Sequence, residues 1–169
     1  MATKFIIQEN GQLKEKAGVV TSAGAANAGD IPALDSSGKL DTTVLPSGIG
    51  AATKVVVASE SLTAGDFVNI YDNAGTPSVR KANATDTTKP AHGFVKAAVT
   101  NGSNATVYLD GENNSLTGLT AGSRYYLGTT GGQATATAPS ATGNNLQFVG
   151  YATSTTTIQF VQDAGIELA

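Results

Sequence analysis

"LTAGDFVNIY" at 62–71 and "LTAGSRYYLG" at 119–128 share an opening tetrapeptide and then run into β-branched and aromatic residues. Such a stretch reads as a turn feeding a strand, with Gly65 and Gly122 supplying backbone angles that side chains with a Cβ adopt only at a cost. The likeness continues downstream. "GFVKAAVTNGSNATVYLDG" at 93–111 aligns with "FVGYATSTTTIQFVQDAG" at 148–165, setting Phe94 on Phe148, Val95 on Val149, Ala98 on Ala152 and Leu109 on Phe160. The offset shrinks along the way through small deletions in the turns. A β unit used twice, at about 62–111 and 119–165, accounts for this self-similarity.

The same texture fills the chain from Lys54 onward. "KVVVA", "FVNIY", "PSVRK", "GFVKAAV", "ATVYL", "RYYLG", "LQFVGYA" and "TTIQFV" are short apolar or aromatic runs separated by "DNAG", "TNGSN", "DGENN", "TTGG" and "TGNN". Strands of this length with turn signals about every 8–12 residues indicate a sandwich or a barrel. Residues 54–169 are therefore expected to form an all-β domain, a compact antiparallel β-sandwich or barrel built from two similar β units.

Residues 1–53 have a different texture. Over 5–16, Asn10-Gly11 is the dipeptide that best accepts the positive φ angles of a two-residue type I′ turn, which predicts a hairpin with Ile7 opposite Lys14 and Phe5 opposite Lys16. A lone hairpin is marginal in water and needs a surface to lean on. Residues 17–53 are a run of Gly, Ala, Ser and Thr broken by Pro32 and Pro46, with no sustained period of 2 or 3.6. This segment is expected to be extended and irregular, an arm ordered by another surface. Its spaced apolar positions, Ile31, Leu34, Leu40, Val44 and Leu45, are the footholds for that surface.

Composition narrows the function. Charged residues make up only 14% of the 169 residues, so solubility falls to Thr, Ser, Asn and Gly, a palette suited to exposed β-structure. A net charge of −3 gives no electrostatic footprint for nucleic acid. Cysteine is absent, which excludes disulfides and thiolate chemistry. The apolar run at the start of "MATKFIIQENGQLKEK" is shorter than the roughly seven residues a secretory signal needs. The cluster "VVV" at 55–57 is likewise far short of the roughly 20 residues that span a bilayer. No membrane partner is expected. Without export, the Asn-x-Ser/Thr sites at Asn83, Asn101, Asn104 and Asn113 are accidents of composition.

The inventory of reactive groups is thin. His92 is the single histidine, and no local nucleophile or carboxylate marks it as a general base or a metal ligand; it reads as a strand-edge residue. "DSSGKLD", with Asp35 and Asp41, lacks the alternating ligands and closing Glu of a calcium loop and reads as a Gly-centred turn. Asp110 and Glu112 in "LDGENN" make a somewhat better acidic turn for a divalent ion, although hairpin turns use the same residues for backbone reasons alone. "GTTGGQ" at 128–133 lacks the Lys-Ser/Thr and the helix of a phosphate loop. Tyr108, Tyr125, Tyr126 and Tyr151 suggest a sugar platform, but neighbours on a strand point to opposite faces, so Tyr125 and Tyr126 diverge and packing is favoured. No catalytic residue, cofactor or metal ligand is assigned.

"IPALDSSGKLDTTVLPSGIG" at 31–50 resembles a segment that recurs in fibre and decoration proteins of tailed bacteriophages, through Ala33, Leu34, Asp35, Gly38, Lys39, Leu40, Asp41, Leu45 and Pro46. "LTAGSRYYLGTTGG" followed by "LQFVGYATSTTTIQFV" is similar to the β-domains of such virion proteins. The resemblance implies a non-enzymatic structural protein on the capsid surface, made in the host cytoplasm, of cement or head-fibre type. Its partners would be the major capsid protein and two further copies of itself in an intertwined homotrimer. Phe5, Ile7, Ile31, Leu34, Leu40, Val44, Leu45 and Pro46 would then be the anchoring residues. Burying a Leu or Ile contributes about 1.5–3 kcal/mol, so several such sites in each of three chains could offset the ordering of a flexible arm. The alternative is a short tail-fibre or receptor-binding component that recognises host glycans; the absence of a long shaft favours the first reading.

Overall fold

The computed structural model describes residues 4–45 and 51–169. The chain divides into two units, Met1–Gly50 and Ala51–Ala169.

In the first unit, β1 (Lys4–Glu9) and β2 (Gln12–Ala17) form the antiparallel hairpin, with Phe5 opposite Lys16 and Ile7 opposite Lys14. Asn10 and Gly11 have φ of 53° and 78°, so the turn has both central residues in the left-handed region, as a type I′ turn requires. Exposed ion pairs, Lys4 to Glu15 at 2.6 Å and Lys14 to Glu9 at 2.9 Å, line the ribbon. Beyond it, the Gly- and Ala-rich segment carries two short 3-10 turns, Gly24–Asn27 and Thr42–Val44, and folds back on itself through a parallel bridge between Val19 and Pro32.

The second unit is where the sequence commits to strands. β3 (Thr53–Ala58), β4 (Phe67–Asn73), β5 (Thr76–Lys81), β6 (Gly93–Val95) and β7 (Asn104–Tyr108) close a barrel in the order β3-β5-β4-β6-β7. The barrel is not wholly antiparallel: β3 and β5 run parallel, with Val57 opposite Ser78. A ring of five strands cannot alternate direction all the way round, so closure forces one parallel pair.

β8 (Gly111–Asn113), β9 (Arg124–Leu127), β10 (Ala134–Thr135), β12 (Phe148–Ala152) and β13 (Ile158–Phe160) form an open antiparallel sheet in the order β10-β9-β12-β13-β8. β11 (Asn145–Leu146) and β14 (Ile166–Glu167) pair separately. "GEN" at 111–113, expected as part of a turn, is strand β8 because β13 runs alongside it.

Barrel and sheet have the same wiring. β5-β4-β6-β7-β3 corresponds strand for strand to β10-β9-β12-β13-β8, and the barrel differs in closing β3 onto β5. The hydrogen bonds after each "LTAG" match as well: Gly65 N–H donates to Val95 and Gly122 N–H to Ala152. This register corrects the letter-by-letter alignment. Phe67 and Val68 face Phe94 and Gly93, and their counterparts Arg124 and Tyr125 face Tyr151 and Gly150. Gly93 therefore corresponds to Gly150 and Phe94 to Tyr151, three residues beyond the Phe148 suggested by matching Phe with Phe. The backbone explains why: a Cβ on Gly93 would lie 2.3 Å from the Tyr108 carbonyl oxygen, and one on Gly150 would lie 2.0 Å from that of Gln159. Barrel and open sheet each need a glycine where one strand crosses close to the next. The pairing of Leu109 with Phe160 agrees with the register of β7 and β13.

Alternation along these strands makes two cores. Val56, Val68, Val79, Val95, Ala105 and Val107 fill the barrel. Phe67 and Phe94, on its outside, are covered by Tyr125, Leu127, Ile158 and Phe160 from the second sheet. Phe160 sits between the two barrel rings, at 5.9 Å from Phe67 and 5.8 Å from Phe94, in the tilted and edge-on arrangements that aromatic quadrupoles favour.

Candidate functional site

Among the described residues of the first unit, not one is buried. Polar contacts hold the unit in shape. Ser37 and Lys39 donate their backbone N–H groups to Asp35 Oδ1, at 2.8 and 2.9 Å, around Gly38 with φ of +75°. "DSSGKLD" is thus the Gly-centred turn its residue types suggest. The Asp41 carboxylate caps the 3-10 turn at Thr42–Val44 by accepting from both N–H and Oγ1 of Thr43, and these bonds hold its pKa below the usual carboxylate value. Ser22 N–H donates to Thr43 Oγ1 at 2.8 Å, joining the two ends of the segment. Asp30 is paired with Lys16 and accepts from Asn27 at 2.9 Å; the Lys16 bond is the main reason its pKa is lowered.

The backbone is thereby shaped while the apolar side chains stay in water. Leu34 is 59% exposed, Ile31 51% and Leu40 45%, and all three lie on the irregular segment. Val44 and Leu45 are half-buried, as are Phe5 and Ile7 on the hairpin. Pro46 lies outside the described residues. Three exposed apolar residues of this unit, Ile6, Leu13 and Val20, were not singled out in the sequence, and of these Ile6 and Leu13 are more exposed than Ile31, Leu34 and Leu40. Simple alternation would have found Ile6, since it must lie on the opposite face of β1 from Phe5 and Ile7.

In the second unit, His92, Asp110 and Tyr125 are engaged in hydrogen bonds that hold the fold. His92 Nδ1 accepts the backbone N–H of Ile70 at 3.1 Å, which requires that nitrogen to be unprotonated, and burial pushes the ring's pKa down. The ring therefore acts as an acceptor within the barrel wall. Asp110 Oδ1 accepts from Ala52 N–H at 3.1 Å, tying down the start of β3. Among the described residues no three His, Cys, Asp or Glu side chains gather as metal ligands. Tyr125 and Tyr126 diverge as strand geometry demands: Tyr125 is buried with its hydroxyl accepting from Thr120 N–H at 3.0 Å, and Tyr126 packs against Phe148 on the other face. No described helix is long and apolar enough to cross a membrane.

No family model and no curated protein matches the chain. Among solved structures, it is similar to the head fiber gp8.5 N base of bacteriophage phi29, with a TM-score of 0.46 and 12% sequence identity, covering 66% of this chain and 95% of that one. The similarity is one of fold.

Proposed function

We propose that the protein is a non-enzymatic structural component of a bacteriophage virion, a homotrimer that decorates the capsid through its N-terminal unit while the β-domain projects. One observation supports this reading above the others: a segment shaped by its own turns and caps presents Ile31, Leu34 and Leu40 to solvent and has no buried residue of its own among those described. Large apolar side chains left in water by a segment that buries none of its described residues support contact with another surface. The sequence pattern around Leu34 and Leu40 resembles segments that phage fibre and decoration proteins use for assembly. His92 serves the fold as a hydrogen-bond acceptor and Asp110 as a tie on the first barrel strand, in keeping with a structural role.

The test is addition of the purified full chain to phage capsids that lack it, followed by electron microscopy. Bound copies arranged in threes on the shell, with the N-terminal unit at the contact, are expected. Binding at the tail, or contact through the β-domain alone, would overturn the assignment.

A further inference from the structure

The outer face of the β10-β9-β12-β13-β8 sheet carries four residues that strand register sets side by side. Arg124 lies opposite Tyr151, Tyr151 opposite Gln159, and Gln159 opposite Glu112. At about 4.8 Å between strands, the row runs about 14 Å. All four side chains are exposed, Tyr151 to 44%. Beside the row, Phe148 meets Tyr151 edge-on at 4.9 Å and Tyr126 at 6.1 Å. The Arg124 guanidinium lies 5.2 Å from the Phe148 ring and 5.7 Å from that of Tyr151, and among the described residues no carboxylate pairs with it.

The barrel shows what the same four positions look like when they receive protein. There the row reads Phe67, Phe94, Tyr108 and Thr53, two of its rings are wholly buried, and the second sheet packs onto them. In the open sheet one ring is kept, and the other positions become guanidinium, carboxamide and carboxylate. A protein face laid over this row would strand a cation and an anion that lie three strands apart, at a cost that apolar packing does not recover. A ligand that suits the row has an apolar face for the rings and a rim of groups that both donate and accept hydrogen bonds. A pyranose has both: axial C–H groups on one face and hydroxyls around its edge. Planar guanidinium, carboxamide and carboxylate groups each offer two parallel hydrogen bonds to neighbouring hydroxyls.

We propose that the row Arg124, Tyr151, Gln159 and Glu112 is a saccharide-binding site, with Tyr151 as the stacking platform and the three polar side chains reading hydroxyls. The assignment is independent of what the N-terminal unit grips, and each can fail without the other. Its test is titration of the isotope-labelled full chain with methyl glycosides of glucose, galactose, mannose, rhamnose and N-acetylglucosamine and with their disaccharides, followed by amide NMR. Saturable shifts are expected at Arg124, Tyr126, Tyr151 and Gln159 with at least one sugar. Tyr151→Ala should weaken binding about tenfold or more, and Glu112→Gln, a substitution on an exposed strand that retains the fold, should weaken it severalfold. The absence of saturable shifts with every sugar, or binding unaltered by both substitutions, overturns the proposal. Shifts at these residues that follow protein concentration and not sugar would overturn it in favour of contact between copies.

Discussion

Phe160→Ala tests the packing of the second sheet on the barrel. The Phe160 side chain is nearly inaccessible to solvent and lies between Phe67 and Phe94, so its removal takes away the ring that touches both. Truncation of a buried Phe to Ala costs about 3–5 kcal/mol, made up of lost transfer energy, lost ring contacts and the cavity left behind. The walls cannot readily close that cavity, because Gly93 and Gly150 already bring adjacent strands to the limit of approach. For a domain the size of residues 51–169, each kcal/mol corresponds to roughly 4 °C in Tm, so a fall of roughly 12–20 °C is expected. Thermal melting of the full chain followed by far-ultraviolet circular dichroism gives the number. Val161→Ala is the control: its neighbouring side chain is 41% exposed, and a change within about 0.5 kcal/mol is expected. A Phe160→Ala shift below about 5 °C, or a separate second transition, would refute the account of one shared core.

Three further outcomes follow from the same structure. Gln147→Leu should destabilise the domain by about 2 kcal/mol or more by chemical denaturation, because the buried carboxamide bonds the N–H and carbonyl of Ala91 as well as the carbonyl of Asp163, and the substitution leaves both groups of the fully buried Ala91 unpartnered. His92 is held neutral with a lowered pKa, so the unfolded ring binds a proton first as pH falls; stability is full above about pH 6.5 and declines below it by at most about 1.4 kcal/mol per pH unit. Denaturation at about pH 7 and pH 5.5 should therefore show a larger drop for the natural protein than for His92→Asn, and equal drops would contradict the neutral acceptor role. Asn10→Pro should abolish the hairpin's NMR signature and leave the Tm of the β-domain unchanged, since Asn10 has φ of 53° and Pro is confined to negative φ.

The strands were legible where β-branched and aromatic residues cluster, and the hairpin where Asn10-Gly11 fixes the turn. The pair of "LTAG" segments also pointed to a repeated unit, and barrel and sheet share their strand order. Matching letters misplaced the strand around Phe94 and Val95 by three residues, because Phe94 and Phe148 are alike in chemistry while Gly93 and Gly150 are alike in what the backbone demands of them. Two glycines in a Gly-rich chain carry no visible mark of that role. β8 was hidden for a related reason: Gly111, Glu112 and Asn113 are turn formers by type, and only the presence of β13 makes them a strand. The parallel pair in the barrel follows from counting strands, which requires knowing that the ring closes. The apolar positions on the irregular segment could be named from sequence, and Ile31, Leu34 and Leu40 are exposed there, but Glu112, Arg124, Tyr151 and Gln159 come together only through register across four strands.

In the proposed homotrimer, other copies cover the Ile31, Leu34 and Leu40 side chains that one chain leaves exposed. Sedimentation equilibrium of the full chain measures this directly, with the Leu34→Asp, Leu40→Asp double substitution beside it. The account predicts a mass of three chains of 16.9 kDa for the natural protein, and a monomer with an unchanged β-domain Tm for the variant, since each Asp would place a charge in an apolar contact. A natural protein that sediments as a monomer at micromolar concentration, or a double variant that remains trimeric, would contradict it.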